Sequence, residues 1–107
     1  IVAMTSLNEG TPVSLIEAQA AGKPVISTEV GGIRNVVIPE VTALLSPSGD
    51  LDAYTQNMLH LLRDASLRSK MSSSGRPFVL SLFNYERLVE DTRKLYRSLL
   101  VQYAASK

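Results

Sequence analysis

Two glutamates flank a predicted turn and the first turn of a helix in the segment Ser6-Leu7-Asn8-Glu9-Gly10-Thr11-Pro12-Val13-Ser14-Leu15-Ile16-Glu17-Ala18. The preceding residues, Ile1 to Thr5, are mostly apolar or β-branched, which predicts a short buried strand. Gly10 suits a tight turn, Thr11 suits a helix N-cap, and Pro12 suits the first helical position. We therefore expect a strand, a turn, and a helix that begins near Thr11 and runs to Ala21.

The amino end of this helix is a candidate anion site. The backbone amides of Val13 and Ser14 are expected to point outward, where unpaired donors and the helix macrodipole attract a phosphate. Glu17 lies roughly 7 to 8 Å beyond Pro12 along the helix, at about 1.5 Å per residue, so Glu9 and Glu17 are expected to contact different parts of one ligand. An ordinary βα turn with two solvated carboxylates has the same pattern, and spacing alone leaves both interpretations open.

Composition limits the classes of function. The chain has 107 residues, of which 45% are hydrophobic, and this predicts one ordered domain with a single core. A formal net charge of +1 without long charged runs indicates neither nucleic acid nor an anionic membrane as a partner. The absence of cysteine excludes disulfides and fits a cytoplasmic location. Because the sequence opens at Ile1, inside a predicted strand, we expect a fragment of a longer protein.

The next part of the chain alternates strands and helices. Gly22 is placed to end the first helix, and residues 25–28 and 42–45 are predicted strands. Val30-Gly31-Gly32-Ile33 predicts a turn after the second strand, followed by a short helix at residues 34–37. Short connections of this kind indicate parallel strands, with a ligand site at their carboxyl ends. The predicted fold class is therefore α/β, a partial Rossmann-like sheet of about three parallel strands.

Helices are predicted for the rest of the chain. Asp50 is expected to cap a helix whose apolar residues recur every three or four positions. A shorter helix is expected to end around residues 72–75, which read Ser-Ser-Ser-Gly, because Pro77 prevents simple continuation. Asn84 is expected to cap a long C-terminal helix, and the leucine and tyrosine stripe of that helix is expected to make core contacts.

Two polar features are expected to be structural. Asp50 and Asp52 match a metal-binding D-x-D pair, but helix capping and dipole compensation explain both carboxylates, so no metal is expected. His60 is the only histidine and lies on a predicted amphipathic helix without a serine or cysteine partner. We therefore expect His60 at the surface.

Taken in order, these residues resemble the donor-binding half of the retaining GT-B glycosyltransferases of family 4, also called glycosyl transferases group 1. Glu9 and Glu17 are similar to the E-x7-E motif of that family. The resemblance extends to later segments at residues 18–28, 30–32, 44–50, 83–85 and 95–96. It implies a single partial domain, 1–107, in which residues 1–82 form the βαβαβ nucleotide-sugar-binding region with the following helices and residues 83–107 form the C-terminal helix.

The resemblance also implies roles for the turn. In the family the first glutamate meets hydroxyls of the transferred sugar, the second meets the nucleotide ribose, and amides between them hold sugar and diphosphate. Carried over, Glu9 is the candidate catalytic residue and Glu17 faces the ribose. The other candidate donor-binding residues are Gly10, Thr11, Pro12, Val13, Ser14, Gly31 and Gly32. Arg34-Asn35 stands where many relatives have Pro-Glu, and Ala43 replaces a frequent glycine.

The resemblance further implies a nucleotide-diphosphate sugar as donor substrate, with no tightly bound cofactor, no metal and no nucleic acid. Relatives hold the diphosphate with an upstream Arg and Lys and bind the acceptor in an N-terminal domain, so this missing acceptor domain is an implied partner and the isolated chain is expected to be inactive. The first strand would lack its central neighbour in a sheet of order 3-2-1-4-5-6, which predicts self-association through that strand. A role in polysaccharide or glycolipid biosynthesis, with a membrane-peripheral complete enzyme, is compatible with the resemblance.

Two other classes of protein remain open at this point. One is a non-catalytic Rossmann-like nucleotide-binding or interaction module that uses the same βαβ frame. The other is a receiver-like signalling domain, in which the strand at residues 25–28 ends in a switch hydroxyl. A receiver needs an acidic cluster after the first strand and a lysine after a later strand, and neither is evident in the sequence.

Overall fold

The computed structural model describes residues 1–107 and contains three strands and four α-helices. The elements follow in the order β1 (Val2–Met4), α1 (Val13–Ala20), β2 (Val25–Glu29), a 3₁₀ helix (Gly31–Asn35), β3 (Ala43–Pro47), α2 (Leu51–Arg63), α3 (Ala65–Leu82) and α4 (Tyr85–Ala105). This confirms the predicted alternation of strands and helices followed by an all-helical region.

The three strands form one parallel sheet in the order β1-β2-β3. Val25 and Ile26 of the central strand are both fully buried, because successive strand residues face opposite sides and helices cover both. Val25 packs in a cluster with α1 and the 3₁₀ helix, and Ile26 packs in a second cluster with α2 and α3. The predicted α/β class is confirmed, with β1 at an open edge of the sheet.

Helix α1 begins later than the sequence predicts. Pro12 is the N-cap residue, and its carbonyl oxygen accepts hydrogen bonds from the amides of Leu15 at 3.0 Å and Ile16 at 3.4 Å. Thr11 makes no capping hydrogen bond, so its predicted role as N-cap is wrong. The helix begins after Pro12 because the backbone of Pro12, with φ −76° and ψ 88°, is not helical. Gly22 has a φ of +67° and ends the helix as predicted.

The segment after β2 also differs from the prediction. The expected turn at residues 30–33 and the helix at residues 34–37 are replaced by a 3₁₀ helix at Gly31–Asn35. The turn is tightened by backbone contacts, since the Gly32 amide donates to the carbonyl oxygen of Glu9 over 3.2 Å. Strand β3 runs from Ala43 to Pro47, slightly later than predicted.

Helix α3 is continuous where the sequence predicted a break. The expected end at residues 72–75 is wrong, and Pro77 lies inside the helix. Gly75 is buried against α1, where a Cβ atom would lie 3.3 Å from both Cβ and Cγ of Gln19. The Ser72 hydroxyl bonds within the helix, to the carbonyl oxygen of Arg68 at 2.8 Å. Close packing on α1 therefore explains Gly75, which the sequence alone had suggested as a stop signal.

The predicted caps of the other helices are confirmed. The amide of Ala53 donates to Oδ1 of Asp50 over 2.8 Å, and the amide of Arg87 donates to Oδ1 of Asn84 over 2.7 Å. Each bond satisfies one of the free donors that a helix leaves at its amino end.

Helix α4 has no buried residue, so the predicted core contacts of its leucine and tyrosine stripe are wrong for this chain. The helix extends away from the sheet, and the radius of gyration is 17.5 Å, compared with about 13 Å for a compact chain of this length. No helix has both the length and the apolar character that a membrane span requires.

Candidate functional site

The candidate site lies where β1 and β2 end. The loop after β1 carries Glu9 and Gly10, and it leads into the amino end of α1. The 3₁₀ helix follows β2 and packs behind this loop. Because the strands are parallel, their carboxyl ends meet at one edge of the sheet, which is where ligands bind in open α/β sheets.

The amides at the amino end of α1 are free. Neither the Val13 nor the Ser14 amide donates to any acceptor in the chain, and both residues are exposed. Gly10 and Thr11, just before them, are exposed as well, whereas Pro12 is buried. The structure therefore provides the outward-facing donors that the sequence predicted.

Glu17 lies on the same exposed face of α1 as Val13 and Ser14, four residues after the first and three after the second. The Cα–Cβ bonds of helical residues tilt toward the amino end of their helix, so the side chain of Glu17 leaves α1 on the side nearer to the free amides. The buried face of α1 is formed by other residues, namely Leu15, Ala18 and Gln19. Glu17 is thus exposed on the helix whose amino end is the predicted anion site.

Glu9 is half-buried and held by a neighbour in its own loop. Its Oε1 atom accepts a hydrogen bond from the Ser6 hydroxyl over 2.6 Å, and its Oε2 atom has no donor in the chain. The carbonyl oxygen of Ser6 in turn accepts from the Thr28 hydroxyl over 2.6 Å. The sequence did not indicate that Ser6 or Thr28 is connected with Glu9. A signal was present, because a serine three residues before a loop glutamate is within local hydrogen-bonding reach.

Gly31 and Gly32 pack directly against the backbone of the loop that carries Glu9 and Gly10. A Cβ atom on Gly31 would lie 1.8 Å from the Glu9 carbonyl oxygen, and one on Gly32 would lie 2.1 Å from the Gly10 carbonyl oxygen. Gly31 also has a φ of +52°, which glycine adopts without strain. The two loops are in direct backbone contact, and the Gly32 amide is used in that contact. By contrast, a Cβ atom on Gly10 would have no atom within 4 Å.

A small cavity of ≈ 170 Å³ adjoins the candidate site at the carboxyl end of the sheet. It is lined by Thr5, Thr28, Pro47, Gly49, Asp50, Leu51 and Tyr54. The Tyr54 hydroxyl donates to the carbonyl oxygen of Met4 over 3.2 Å, and burial raises the pKa of this tyrosine. Tyr54 therefore ties α2 to the end of β1 as a neutral hydrogen-bond donor, a contact that sequence reasoning did not predict.

One ion pair lies after β2. Arg34 Nε donates to Oε1 of Glu29 over 2.5 Å. This hydrogen bond, together with the charge of Arg34, holds the pKa of Glu29 below its ordinary value, and the same contacts raise the pKa of Arg34. Both side chains are largely exposed to water, so the pair contributes little to stability.

The two features expected to be structural have ordinary surroundings. Asp50 caps α2, as described above, and no group of three or more histidine, cysteine or acidic side chains is placed to hold a metal ion. His60 is exposed, as predicted, with its Nε2 atom 3.9 Å from Oδ2 of Asp64.

Comparison with known proteins agrees with this architecture. Residues 1–78 match the family model described as glycosyl transferases group 1. A D-inositol 3-phosphate glycosyltransferase of Salinispora tropica is 30% identical over 103 residues, which cover 96% of this chain and 21% of that protein. This chain spans about a quarter of the length of the curated relatives it matches.

Solved structures give the same result. A sucrose-phosphate synthase from Thermosynechococcus elongatus superposes with a TM-score of 0.84 at 36% identity, over 94% of this chain and 26% of that chain. The Anabaena protein HepE, solved in complex with UDP, also superposes with a TM-score of 0.84, at 21% identity over 91% of this chain and 27% of its own. The second likeness shows the fold alone, which is that of the GT-B glycosyltransferases. On the family match and the similarity over most of its length, the chain belongs to the glycosyl transferases group 1 family.

Proposed function

We propose that this chain is the nucleotide-sugar donor-binding portion of a retaining glycosyltransferase, which transfers a sugar to an acceptor bound by another domain. The observation that carries the proposal is the pair of free amides at Val13 and Ser14, located between Glu9 and Glu17. A helix amino end with unpaired donors stabilises a diphosphate. Carboxylates on either side of it are suited to the hydroxyl groups at the two ends of a nucleotide sugar.

Each glutamate is proposed to accept hydrogen bonds from a different sugar. Glu17 is exposed on α1, one helical turn beyond the free amides, so we assign it to the ribose of the nucleotide. Glu9 retains a free Oε2 atom in the loop, so we assign it to hydroxyls of the transferred sugar. A carboxylate at that position also stabilises positive charge that develops on the sugar ring as the bond to the leaving diphosphate breaks.

The residues between and behind the glutamates complete the proposed donor site. Gly10, Thr11, Val13 and Ser14 offer exposed backbone to the sugar and diphosphate, and Pro12 fixes where the helix begins. Gly31 and Gly32 contribute by supporting the Glu9 and Gly10 backbone.

We further propose that the chain alone does not catalyse transfer. The leaving diphosphate gains negative charge, and two or three helix-end amides supply only part of the stabilisation it needs. No arginine or lysine precedes Glu9 in this sequence. We propose that the complete protein supplies the cationic side chains that hold the diphosphate and the site that binds the acceptor. We also propose that the complete protein is cytoplasmic.

The donor site is tested by calorimetric titration of the complete protein with UDP, GDP, ADP and the matching nucleotide sugars. Glu17→Ala is expected to weaken binding of the accepted nucleotide roughly 10- to 100-fold, because a charge-assisted hydrogen bond contributes about 1.5 to 3 kcal/mol. Glu86→Ala is the matched control, since Glu86 is an exposed acidic residue in the first turn of α4. Equal affinities for Glu17→Ala and the unaltered protein would contradict the assignment of the ribose contact.

A further inference from the structure

Two hydrogen bonds connect strand β2 to the carboxylate of Glu9. The Thr28 hydroxyl donates to the carbonyl oxygen of Ser6 over 2.6 Å. The hydroxyl of the same serine donates to Oε1 of Glu9 over 2.6 Å. The sheet, the loop and the carboxylate are therefore joined by one continuous series of contacts.

The first of these contacts begins on a rigid part of the molecule. Thr28 is 9% exposed and lies in the central strand, which is paired on both sides. Ser6 and Glu9 lie in the irregular segment between β1 and α1, where Leu7 is 83% exposed. The hydrogen bond from Thr28 thus holds the irregular segment that contains Ser6 and Glu9 at a fixed position relative to strand β2.

The second contact restricts the side chain of Glu9. A free glutamate samples several rotamers and loses that freedom when a ligand fixes it, which weakens binding. The bond from Ser6 engages Oε1 and leaves Oε2 without a donor from the chain. The carboxylate is therefore oriented before a ligand arrives, with one oxygen available to accept from it.

We infer that Ser6 and Thr28 are positioning residues that hold Glu9 in the orientation in which it contacts the transferred sugar. Neither side chain contacts the donor, and both act through Glu9. The inference rests on the proposed role of Glu9 in donor binding.

A purely structural role of Ser6 makes a different prediction. A serine bonded to a residue three positions later also stabilises an ordinary turn. Loss of such a turn would displace the amides of Val13 and Ser14 as well, and binding of a nucleoside diphosphate and of its nucleotide sugar would weaken equally. Loss of positioning weakens only the contact with the sugar, so the ratio of the two Kd values separates the two roles.

The test uses the complete protein and two ligand pairs, UDP with UDP-glucose and GDP with GDP-mannose, and continues with the pair that binds. For Ser6→Ala we expect the ratio of the two Kd values to shift roughly tenfold against the nucleotide sugar, while the Kd of the diphosphate stays within about threefold. Ser6→Thr keeps a hydroxyl and is expected to restore the ratio. Ser73→Ala is the matched control, because it removes a serine-to-carbonyl bond on the surface of α3.

Thr28 is tested in the same way. Thr28→Val is expected to shift the ratio in the same direction by a smaller factor, because it loosens Ser6 without removing the bond to Glu9. Thr28→Ser keeps the donor and is expected to restore the ratio. If Thr28→Val leaves the ratio of the two Kd values unchanged, Thr28 has no positioning role.

Combination with Glu9→Ala separates this inference from the proposed function, because alanine removes the acceptor of the Ser6 hydrogen bond. If Ser6 acts through Glu9, then Ser6→Ala is expected to cause no further shift in a Glu9→Ala background. Equal weakening of both ligands, or an additional shift in the double variant, overturns the positioning role alone. An unchanged ratio in Glu9→Ala overturns the role of Glu9 and the inference with it. Failure of every nucleotide to bind overturns the proposed function.

Discussion

Helices α1 and α4 show how differently two helices of one chain are placed, although each carries apolar residues. Helix α1 has eight residues, three of them buried, whereas α4 has 21 residues and none is buried. The difference follows from connectivity, since α1 joins β1 to the neighbouring parallel strand β2 and is held on the sheet at both ends. Helix α4 follows α3 through residues 83–84, and its amino end is joined to α3 by hydrogen bonds from Asn84 to Leu80 and from Arg87 to Leu82. An apolar stripe in the sequence therefore predicts that a segment is helical, but it does not predict whether that helix is buried.

The proposed functional residues lie on the packed side of this comparison. The free amides of Val13 and Ser14, Glu9 and the two glycines lie at the amino end of α1 or in the loops beside it, and Glu17 lies further along the same helix. Parallel strands fix these loops relative to one another, which favours the proposed donor site at this place.

The largest effect is expected where the two loops touch. Gly31→Ala places a Cβ atom 1.8 Å from the Glu9 carbonyl oxygen at a φ of +52°. We expect the free energy of unfolding to fall by about 3 kcal/mol or more, because a backbone atom has to move. Urea unfolding followed by circular dichroism measures the change.

Gly10→Ala is the stability control for this prediction. A Cβ atom on Gly10 has no atom within 4 Å, so we expect a change of less than about 1 kcal/mol. Similar losses for the two variants would show that the loops are not in contact in solution.

The comparison between packed and unpacked helices can be tested with two leucines. Leu61 on α2 is fully buried, and Leu61→Ala is expected to cost about 2 to 5 kcal/mol. Leu95 on α4 is 56% exposed, and Leu95→Ala is expected to change stability by less than about 0.5 kcal/mol. A loss at Leu95 comparable with that at Leu61 would mean that α4 is packed in solution.

The open edge of β1 gives a prediction about association. We propose that the chain self-associates through β1, since the edge strand has unpaired backbone groups. The Val2 amide points into the sheet, toward the carbonyl oxygen of Pro24, so the amide of Ala3 points outward. Ala3→Pro removes that outward donor and is expected to shift the light-scattering mass toward the monomer. Leu99→Ser on α4 is the control, and dissociation caused by that variant instead would place the contact on α4.

The smallest effect is expected at the Arg34–Glu29 ion pair. Because the pKa of Glu29 is lowered in the folded protein, the pair stabilises the fold above the ordinary glutamate pKa of 4.5, and this contribution is lost as the pH falls through the lowered value. Arg34→Ala is therefore expected to be slightly less stable than the unaltered chain at neutral pH and equal to it in strong acid. Arg76→Ala, on the surface of α3, is the control, and a difference that persists in strong acid would exclude the ion pair as its cause.

Much of the fold was predictable from the sequence because its signals are local. The β-branched strands, the caps at Asp50 and Asn84, and the glycine at the end of α1 each act through neighbouring residues. The predictions failed where a distant contact decides the outcome. Gly75 looked like a helix end because the sequence does not show Gln19 packed against it.

In the candidate site, too, features that depend on local sequence were predicted and those that depend on distant contacts were not. The free amides of Val13 and Ser14 and the exposed position of Glu17 follow from the start of a helix, so the sequence indicated them. The connection from Thr28 through Ser6 to Glu9 depends on a hydrogen bond between residues 22 positions apart in the sequence and was not predicted. Thr11 was expected to be an N-cap because threonine commonly is one, but the buried Pro12 takes that position.

Chimeric proteins built from relatives of this chain inherit a constraint from the two glycines. Since main-chain atoms of Glu9 and Gly10 lie directly against Gly31 and Gly32, no side chain at those two glycine positions can adjust to a mismatch. An exchange of the proposed donor site between two relatives therefore requires that residues 5–12 and 30–35 are transferred together.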